Sequence, residues 1–259
     1  MERRSIVFPE ERLEEILKIL KSEGKLKVKD LSIKFNVTED CIRKDLKVLE
    51  NKGYLKRTYG GAVLFRESAH EQDIVSRKDI DISSKTIIAK KAFDIIEDKE
   101  TIFLDISTTN IILAKLLAES SKNITVVSNM LDVVNVLSSK NNITAICIGG
   151  LLNKNLNGFV GSPSIELISR YKFDKTFIGS CGIDVFDKSI TTFQIEDGIT
   201  KSSIIKAGKK NYIVMEKKKF YYDGNYKFAS LDDIDSIITD ALIDDDIKNI
   251  LIENGIEII

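Results

Sequence analysis

The chain has 259 residues, 43% hydrophobic and 31% charged, with a formal net charge of −1. That length exceeds one small module and the composition supports a sizeable core, so two domains are expected, with one large domain as the alternative. Three scattered cysteines without a CxxC pair argue against a zinc site or disulfide framework, and the single His70 against a His-based metal site or triad. No apolar leader precedes Pro9 and no apolar run is long enough to span a membrane, so a cytoplasmic location is expected.

The near-neutral total hides an asymmetry. From Lys25 to Arg57 ten Lys/Arg face five Asp/Glu, a surplus of five, which leaves −6 for the remainder. A small basic module on a larger acidic body suits a DNA reader joined to a second domain.

In chain order, Leu13, Ile16, Leu17 and Leu20 recur at helical spacing over Glu10 to Lys21, and Gly24 is a plausible stop. Leu26 and Val28 alternate with Lys25, Lys27 and Lys29 and suit a short strand. Asp30 is positioned to cap a second helix with Leu31 and Phe35 inward. Thr38 caps a third, with Ile42, Leu46 and Leu49 inward and Arg43, Lys44 and Lys47 outward. Gly53 ends it. Tyr54–Tyr59 reads as a strand, Gly60-Gly61 as a turn and Ala62–Phe65 as the returning strand. Three helices and a basic hairpin describe a winged helix-turn-helix.

Residues 66–83 are polar and read as a linker between a DNA-binding domain, 1–65, and an effector-sensing domain, 84–259. Beyond it, strands alternate with helices. Helices are expected at Thr86–Ile96, Ile111–Leu117, Leu131–Leu137, Glu196–Ala207 and Asp244–Leu251. Strands are expected at Thr101–Asp105, Ile124–Ser128, Ile143–Ile148, Phe173–Gly179, Tyr212–Met215, Ile234–Thr239 and Ile256–Ile258. That alternation predicts a parallel α/β sheet, whose ligands bind beyond the carboxyl ends of the strands.

The strongest motif is the third helix. Thr38, Glu39, Asp40 and Cys41 stand at its start, where side chains reach base edges. Arg43, Lys44 and Lys47 are placed to grip phosphate, while Asp45 is suited to orient a neighbouring arginine. Alone, this helix would read as a solvated charged face; the preceding helix, the turn and the Lys56-Arg57 wing reverse that preference. In the sensor, Asp105-Ile106-Ser107-Thr108-Thr109 joins a strand to a helix, where hydroxyls and N–H groups can hold phosphate. Taken alone, a simple Ser/Thr cap is at least as good a reading. Ser128-Asn129, Gly149-Gly150 and Asn157–Gly161 follow later strands, and that recurrence favours a ligand. No GxGxxG or GxxxxGK[ST] occurs, so dinucleotide and nucleoside triphosphate sites are not supported. Glu196, Lys201 and Lys219 could bind a sugar and a phosphate or do acid/base chemistry; surface charge is the plain alternative.

Taken together, these pieces resemble the deoxyribonucleoside-regulator (DeoR) family of bacterial transcription regulators from Arg12 to Asp240. The likeness rests on Val28-Lys29-Asp30-Leu31, Phe35–Thr38, Ile42–Leu46 and Arg57–Ala62 in the first part. In the second it rests on Arg77, Lys85, Leu104–Thr109, Ser128-Asn129, Gly149-Gly150, Gly158–Gly161, Phe177–Gly179, Lys201, Lys219-Phe220 and Ile238–Asp240. It departs from the family pattern at Cys41 (usually Thr), Lys44 (Arg), Tyr59 (His), Ser107 (Gly) and Glu216-Lys217-Lys218 (Asp-Ser-Ser). Lysine at 44 lacks the bidentate fork of arginine.

The resemblance implies a sensor similar in fold to ribose-5-phosphate isomerase that binds without turnover, repression of a sugar-catabolic operon, a phosphorylated sugar effector and no other cofactor, and a homo-oligomer. The residues expected on operator DNA are Thr38, Glu39, Cys41, Arg43, Lys44, Lys47, Lys56, Arg57 and Tyr59. Those expected around the effector are Asp105, Ser107, Thr108, Thr109, Ser128, Asn129, Gly149, Gly150, Gly161, Glu196, Lys201 and Lys219. The rival readings are an active sugar-phosphate isomerase anchored to DNA, with Glu196 as base, and a constitutive DNA-binding scaffold with a degenerate pocket.

Overall fold

A computed structural model describes residues 8–68 and 73–259; the stretch before Phe8 and His70 lie outside them. The chain divides into two compact units, Met1–Glu67 and Ser68–Ile259.

In the first unit, helix α1 (Pro9–Glu23) starts with proline at its first turn, where a missing N–H costs nothing, and stops at left-handed Gly24. Strand β1 (Lys25–Lys27) leads into α2 (Val28–Phe35), which turns through left-handed Asn36. Helix α3 (Glu39–Asn51) follows, its first turn capped by the Thr38 hydroxyl, which accepts from the Cys41 N–H at 3.2 Å. Strands β2 (Leu55–Thr58) and β3 (Gly61–Leu64) complete an antiparallel sheet of order β1-β3-β2. Ile16, Leu20, Leu31, Ile42, Leu46 and Leu49 fill the core.

Three local expectations are corrected. Val28 does not extend β1; it opens α2. Asp30 therefore lies inside the first turn and is not the cap. The Val28 N–H instead donates to the Gly60 carbonyl at 2.8 Å, a partner 32 residues downstream that local sequence cannot reveal. The wing turn sits at Tyr59-Gly60, and Gly61 opens β3 because a Cβ there would stand 2.0 Å from the Leu26 carbonyl oxygen. Asp45 does orient an arginine, but from α1: Arg12 Nε donates to its carboxylate at 2.7 Å, and both side chains are almost wholly enclosed.

After a two-residue strand β4 (Glu67–Ser68), the second unit opens with α4 (Ile74–Lys78) and α5 (Ile82–Asp94). The stretch read as linker thus carries a short helix and the start of another. Ile74 is sealed in the sensor core, and Lys85 is buried with its charge satisfied by carbonyls, a polar spelling that hydropathy takes for solvent.

The central sheet is built from β5 (Thr101–Leu104), β6 (Ile124–Ser128), β7 (Ile143–Cys147), β10 (Phe173–Gly179), β13 (Gly208–Val214), β16 (Ser236–Ile238) and β17 (Glu257–Ile258). All its pairings are parallel, in the order β17-β16-β13-β10-β5-β6-β7. Side chains alternate between two buried faces. Ile102, Leu104 and Val126 pack with α5, α6 (Thr108–Glu119) and α7 (Leu131–Leu137), whereas Phe103, Val127 and Ile178 pack with α8 (Ser162–Ile168), α9 (Ile195–Ala207) and α10 (Asp245–Glu253). The chain starts at β5, runs outward through β6 and β7, then returns to β10 on the other flank. The gap between β5 and β10 is therefore a topological switch point, where open α/β sheets place ligands.

Besides α4, the sequence reading misses α8, a hairpin of β8 (Leu151–Asn153) and β9 (Gly158–Val160), and a small antiparallel sheet of β11 (Gly182–Asp184), β12 (Ser189–Thr192) and β15 (Tyr226–Ser230). Between the last two lies the short strand β14 (Tyr222–Asp223).

Removing one member of a buried ion pair strands the other. Asp45→Ala should therefore destabilise the first unit by roughly 3–5 kcal/mol, while replacing Arg12 and Asp45 together by apolar residues should restore much of the loss. Urea denaturation of the two variants measures this, and equal losses would refute it.

Candidate DNA-reading face and effector site

Helix α3 presents Arg43, Lys44 and Lys47 to solvent, and the wing presents Lys56, Arg57 and Tyr59. Thr38 and Glu39 are also exposed at the helix start, while Cys41 is half-buried, its sulfur taking a hydrogen bond from Arg12 Nη2 at 3.3 Å. Arg43 and Arg57, with Val28, Leu46 and the wing turn, line one recess of about 100 Å³ between helix and wing. The arginines are not bare. Arg43 donates to Asp40 and Glu39 at 2.6 Å each, and Arg57 donates to Glu50 at 2.7 Å. Arg57's backbone and side-chain hydrogen bonds hold the Glu50 carboxyl below its ordinary range. Lys44, Lys47 and Lys56 have no ion pair among the described residues.

At the switch point Asp105 follows β5 and is fully enclosed. Its Oδ2 accepts from the Gly179 N–H of β10 at 3.1 Å and from the Lys201 ammonium of α9. Lys201 also lies 3.5 Å from Asp197, whose other oxygen accepts from Thr192 at 2.6 Å. Asp105 Oδ1 is buried without a partner among the described residues, and so is Asn129 Oδ1, at the end of neighbouring β6. Asn129 Nδ2 donates to the Phe159 carbonyl at 3.0 Å, which turns its orphaned oxygen the other way. Ser107 caps α6 by accepting from the Thr109 N–H, and Ser107, Thr108 and Thr109 are all buried. Gly179 is required here: a Cβ would stand 2.9 Å from Ser107 Cβ. Lys219, after β13, donates to the Ser180 carbonyl at 2.9 Å and pairs with buried Glu216 at 3.0 Å. Although burial opposes the charge, Lys219 holds the Glu216 carboxyl down at about 2.

A family model of the DeoR-like helix-turn-helix domain matches residues 12–68, and one of the DeoR C terminal sensor domain matches residues 80–241. The chain is 32% identical over 253 residues to the HTH-type transcriptional repressor GlcR of Bacillus subtilis, covering 98% of this chain and 96% of the relative. The chain belongs to the DeoR family. Other relatives in the family include the lactose phosphotransferase system repressor of Staphylococcus epidermidis, 30% identical over 96% of this chain and 98% of its own length. The glycerol-3-phosphate regulon repressor of Escherichia coli is 29% identical, over 94% and 95% respectively. Among solved structures, ribose 5-phosphate isomerase A from Methanocaldococcus jannaschii matches 52% of each chain at 12% identity and a TM-score of 0.39. This DeoR-family chain is a DNA-binding transcription regulator. Among the described residues, no helix is long and apolar enough to cross a membrane.

Within this DeoR sensor the residues singled out from sequence divide into three groups. Asp105, Ser107, Thr108, Thr109, Asn129 and Lys201 gather at the ends of β5, β6 and β10, with Lys219 after neighbouring β13. Ser128, Gly149, Gly150 and Gly161 engage partners within the protein. The Ser128 hydroxyl donates to Leu104 O at 2.6 Å and accepts from Met130 N. A Cβ on Gly150 would stand 2.0 Å from Ser164 Oγ, which itself donates to Gly149 O, and the Gly161 N–H donates to Thr200 Oγ1. Glu196 is exposed, and the carboxylate of α9 that meets Lys201 is Asp197. Positions 197, 200, 201 and 204 share the inward face of α9, and 196 falls outside that stripe. The four-residue spacing from Asp197 to Lys201 was the available signal.

Burial pushes the Asp105 carboxyl from 3.8 up to about 6; Lys201 pulls it down and Asp197 reinforces the rise. Burial opposes the Lys201 charge too, but Asp105 and Asp197 outweigh it and hold the lysine above its ordinary value. One ammonium thus serves two carboxylates. Between pH about 4 and about 6 the native state keeps a proton that the unfolded chain has lost, so Asp105's contribution to stability is present below that window and is lost as pH rises through it. Asp105→Asn leaves Lys201 its Asp197 partner. The stability of wild type minus that of Asp105→Asn, from urea titrations at stepped pH, should fall across this window; a flat difference would contradict the shift.

Proposed function

We propose that this regulator represses a sugar-utilisation operon and that a phosphorylated sugar, bound where β5, β6 and β10 end, releases it from its operator. The reading is carried by orphaned buried acceptors there, Asp105 Oδ1 and Asn129 Oδ1, with Asn110 Oδ1 as a third. Buried acceptors without donors are costly, and sugar hydroxyls are the donors such a site lacks. The start of α6, with Ser107, Thr108 and Thr109, suits the phosphate, since helix N-termini favour anions and these hydroxyls add donors. Two relatives are named for a lactose phosphotransferase system and a glycerol-3-phosphate regulon, which supports a phosphorylated metabolite here. Exposure of Glu196, the expected base of the isomerase alternative, weighs against that reading.

On the DNA side, α3 enters the major groove, with Thr38, Glu39 and Cys41 nearest the base edges. Lys44, Lys47, Lys56, Arg43 and Arg57 take phosphates, and Tyr59 leads the wing tip. A homo-oligomer would set two such helices on paired half-sites. The effector shifts the DNA-binding equilibrium only as far as its affinity differs between the two states.

Lys44→Ala should weaken operator binding and lower the slope of log affinity against log salt by about one unit. Fluorescence anisotropy over a salt series reads this, and an unaltered slope would remove Lys44 from the contact. A thermal-shift screen of the full chain against phosphorylated sugars and their free parents should give hits only among the phosphorylated set, and those hits should release operator DNA without being turned over. Binding of free sugars alone, or turnover of a hit, would overturn the reading.

A further inference from the structure

The polar cluster built by α4, α5 and the turn after β13 has a charge surplus that the proposed site does not use. Lys85 is 3% exposed, and its ammonium donates to the carbonyls of Arg77 and Ile80 at 2.5 and 2.6 Å. That pins the end of α4 to α5. At the other end of α4, the Ile74 side chain is sealed in the core and its N–H donates to the Asn155 carbonyl at 2.8 Å. The Arg77 backbone is therefore held from both sides. Its Nε is buried and, among the described residues, has no acceptor.

The Lys218–Asp81 ion pair joins the turn after α4 to the turn that carries Lys219, which brings Arg77 and Lys219 into one neighbourhood. Lys219 itself lies against Ser180, just past the end of β10. Arg77, Lys85 and Lys219 make three cations. Glu216 is the buried carboxylate among them, and Asp81, which also acts on Lys85, is engaged by Lys218. Two positive charges remain without a carboxylate of their own, and the guanidinium edge of Arg77 carries a buried Nε with no acceptor among the described residues. Burying such an edge is costly unless an anion completes it.

We propose that Arg77 and Lys219 form a second anion subsite, so that the effector carries two acidic groups: a phosphate at the start of α6, and a second phosphate or a carboxylate here. This rests on the sugar-phosphate reading above and narrows it to bisphosphorylated sugars or phosphorylated sugar acids. It also gives the ligand a handle on α4, ten positions after Glu67, the last residue of the DNA-reading unit.

The test uses the full chain with fructose 6-phosphate, fructose 1,6-bisphosphate, 6-phosphogluconate and inorganic phosphate, followed by calorimetry and thermal shift. On wild type, at least one of the two probes with two acidic groups should bind about tenfold or more tighter than the monophosphate, an advantage of about 1.4 kcal/mol. Preference for the bisphosphate identifies a second phosphate, and preference for the sugar acid a carboxylate. Arg77→Gln should erase the advantage while keeping monophosphate binding, and Arg77→Lys, which keeps the charge but loses the fork, should fall between. Equal affinity for all probes on wild type, or a uniform loss in Arg77→Gln, overturns the second subsite and leaves the sugar-phosphate reading standing. If no sugar binds wild type, that reading fails, and inorganic phosphate decides the subsite: stabilisation of wild type but not of Arg77→Gln supports it, and an equal response or none in wild type overturns it. Should Arg77→Gln not fold, Arg77→Lys takes its place: a reduced advantage over the monophosphate supports the subsite, and an undiminished one overturns it.

Discussion

The arrangement of the sensor turns on one carboxylate. Asp105 holds together pieces that the topology leaves side by side without a covalent link: its side chain accepts from the backbone of β10 and from Lys201 of α9, and its own N–H donates to Phe177 O. Asn110 reinforces the seam by donating to both Asp105 O and Phe177 O. The central gap of the sheet is thereby closed by polar groups, not by packing. A polar seam of this kind is rigid while every partner is present, and three acceptors, Asp105 Oδ1, Asn110 Oδ1 and Asn129 Oδ1, are left without a partner among the described residues.

The DNA-reading unit solves the opposite problem. Its cations must be available, yet a dense positive face binds any polyanion. Carboxylates on the same helix and at its end occupy Arg43 and Arg57. Those pairs are exposed, so each contributes little. A phosphate can displace them at small cost, while loose encounters gain less than the cation count suggests.

Much of this was legible because hydrophobic spacing and helix stops are local. Ile42, Leu46 and Leu49 announce α3, and the strand runs at Ile124–Ser128 and Phe173–Gly179 match the structure residue for residue. What escaped is polar and buried. Strand β12 reads Ser-Ile-Thr-Thr, yet all four residues are enclosed, because Thr191 bonds to Gly182 O and Thr192 to Asp197. The same disguise hid α4 and the start of α5, and it made exposed Glu196 look a better site residue than Asp197. Hydropathy records what a side chain prefers alone, and these positions are decided by partners far along the chain.

One contact in the wing has a mechanical consequence. Because the first turn of α2 is closed by the Gly60 carbonyl, the hairpin tip and the helix that buttresses α3 share a hydrogen bond. Bending the tip against a duplex would tug on that helix start, so contact at the wing and seating of α3 would become a single coupled event whose perturbations do not add.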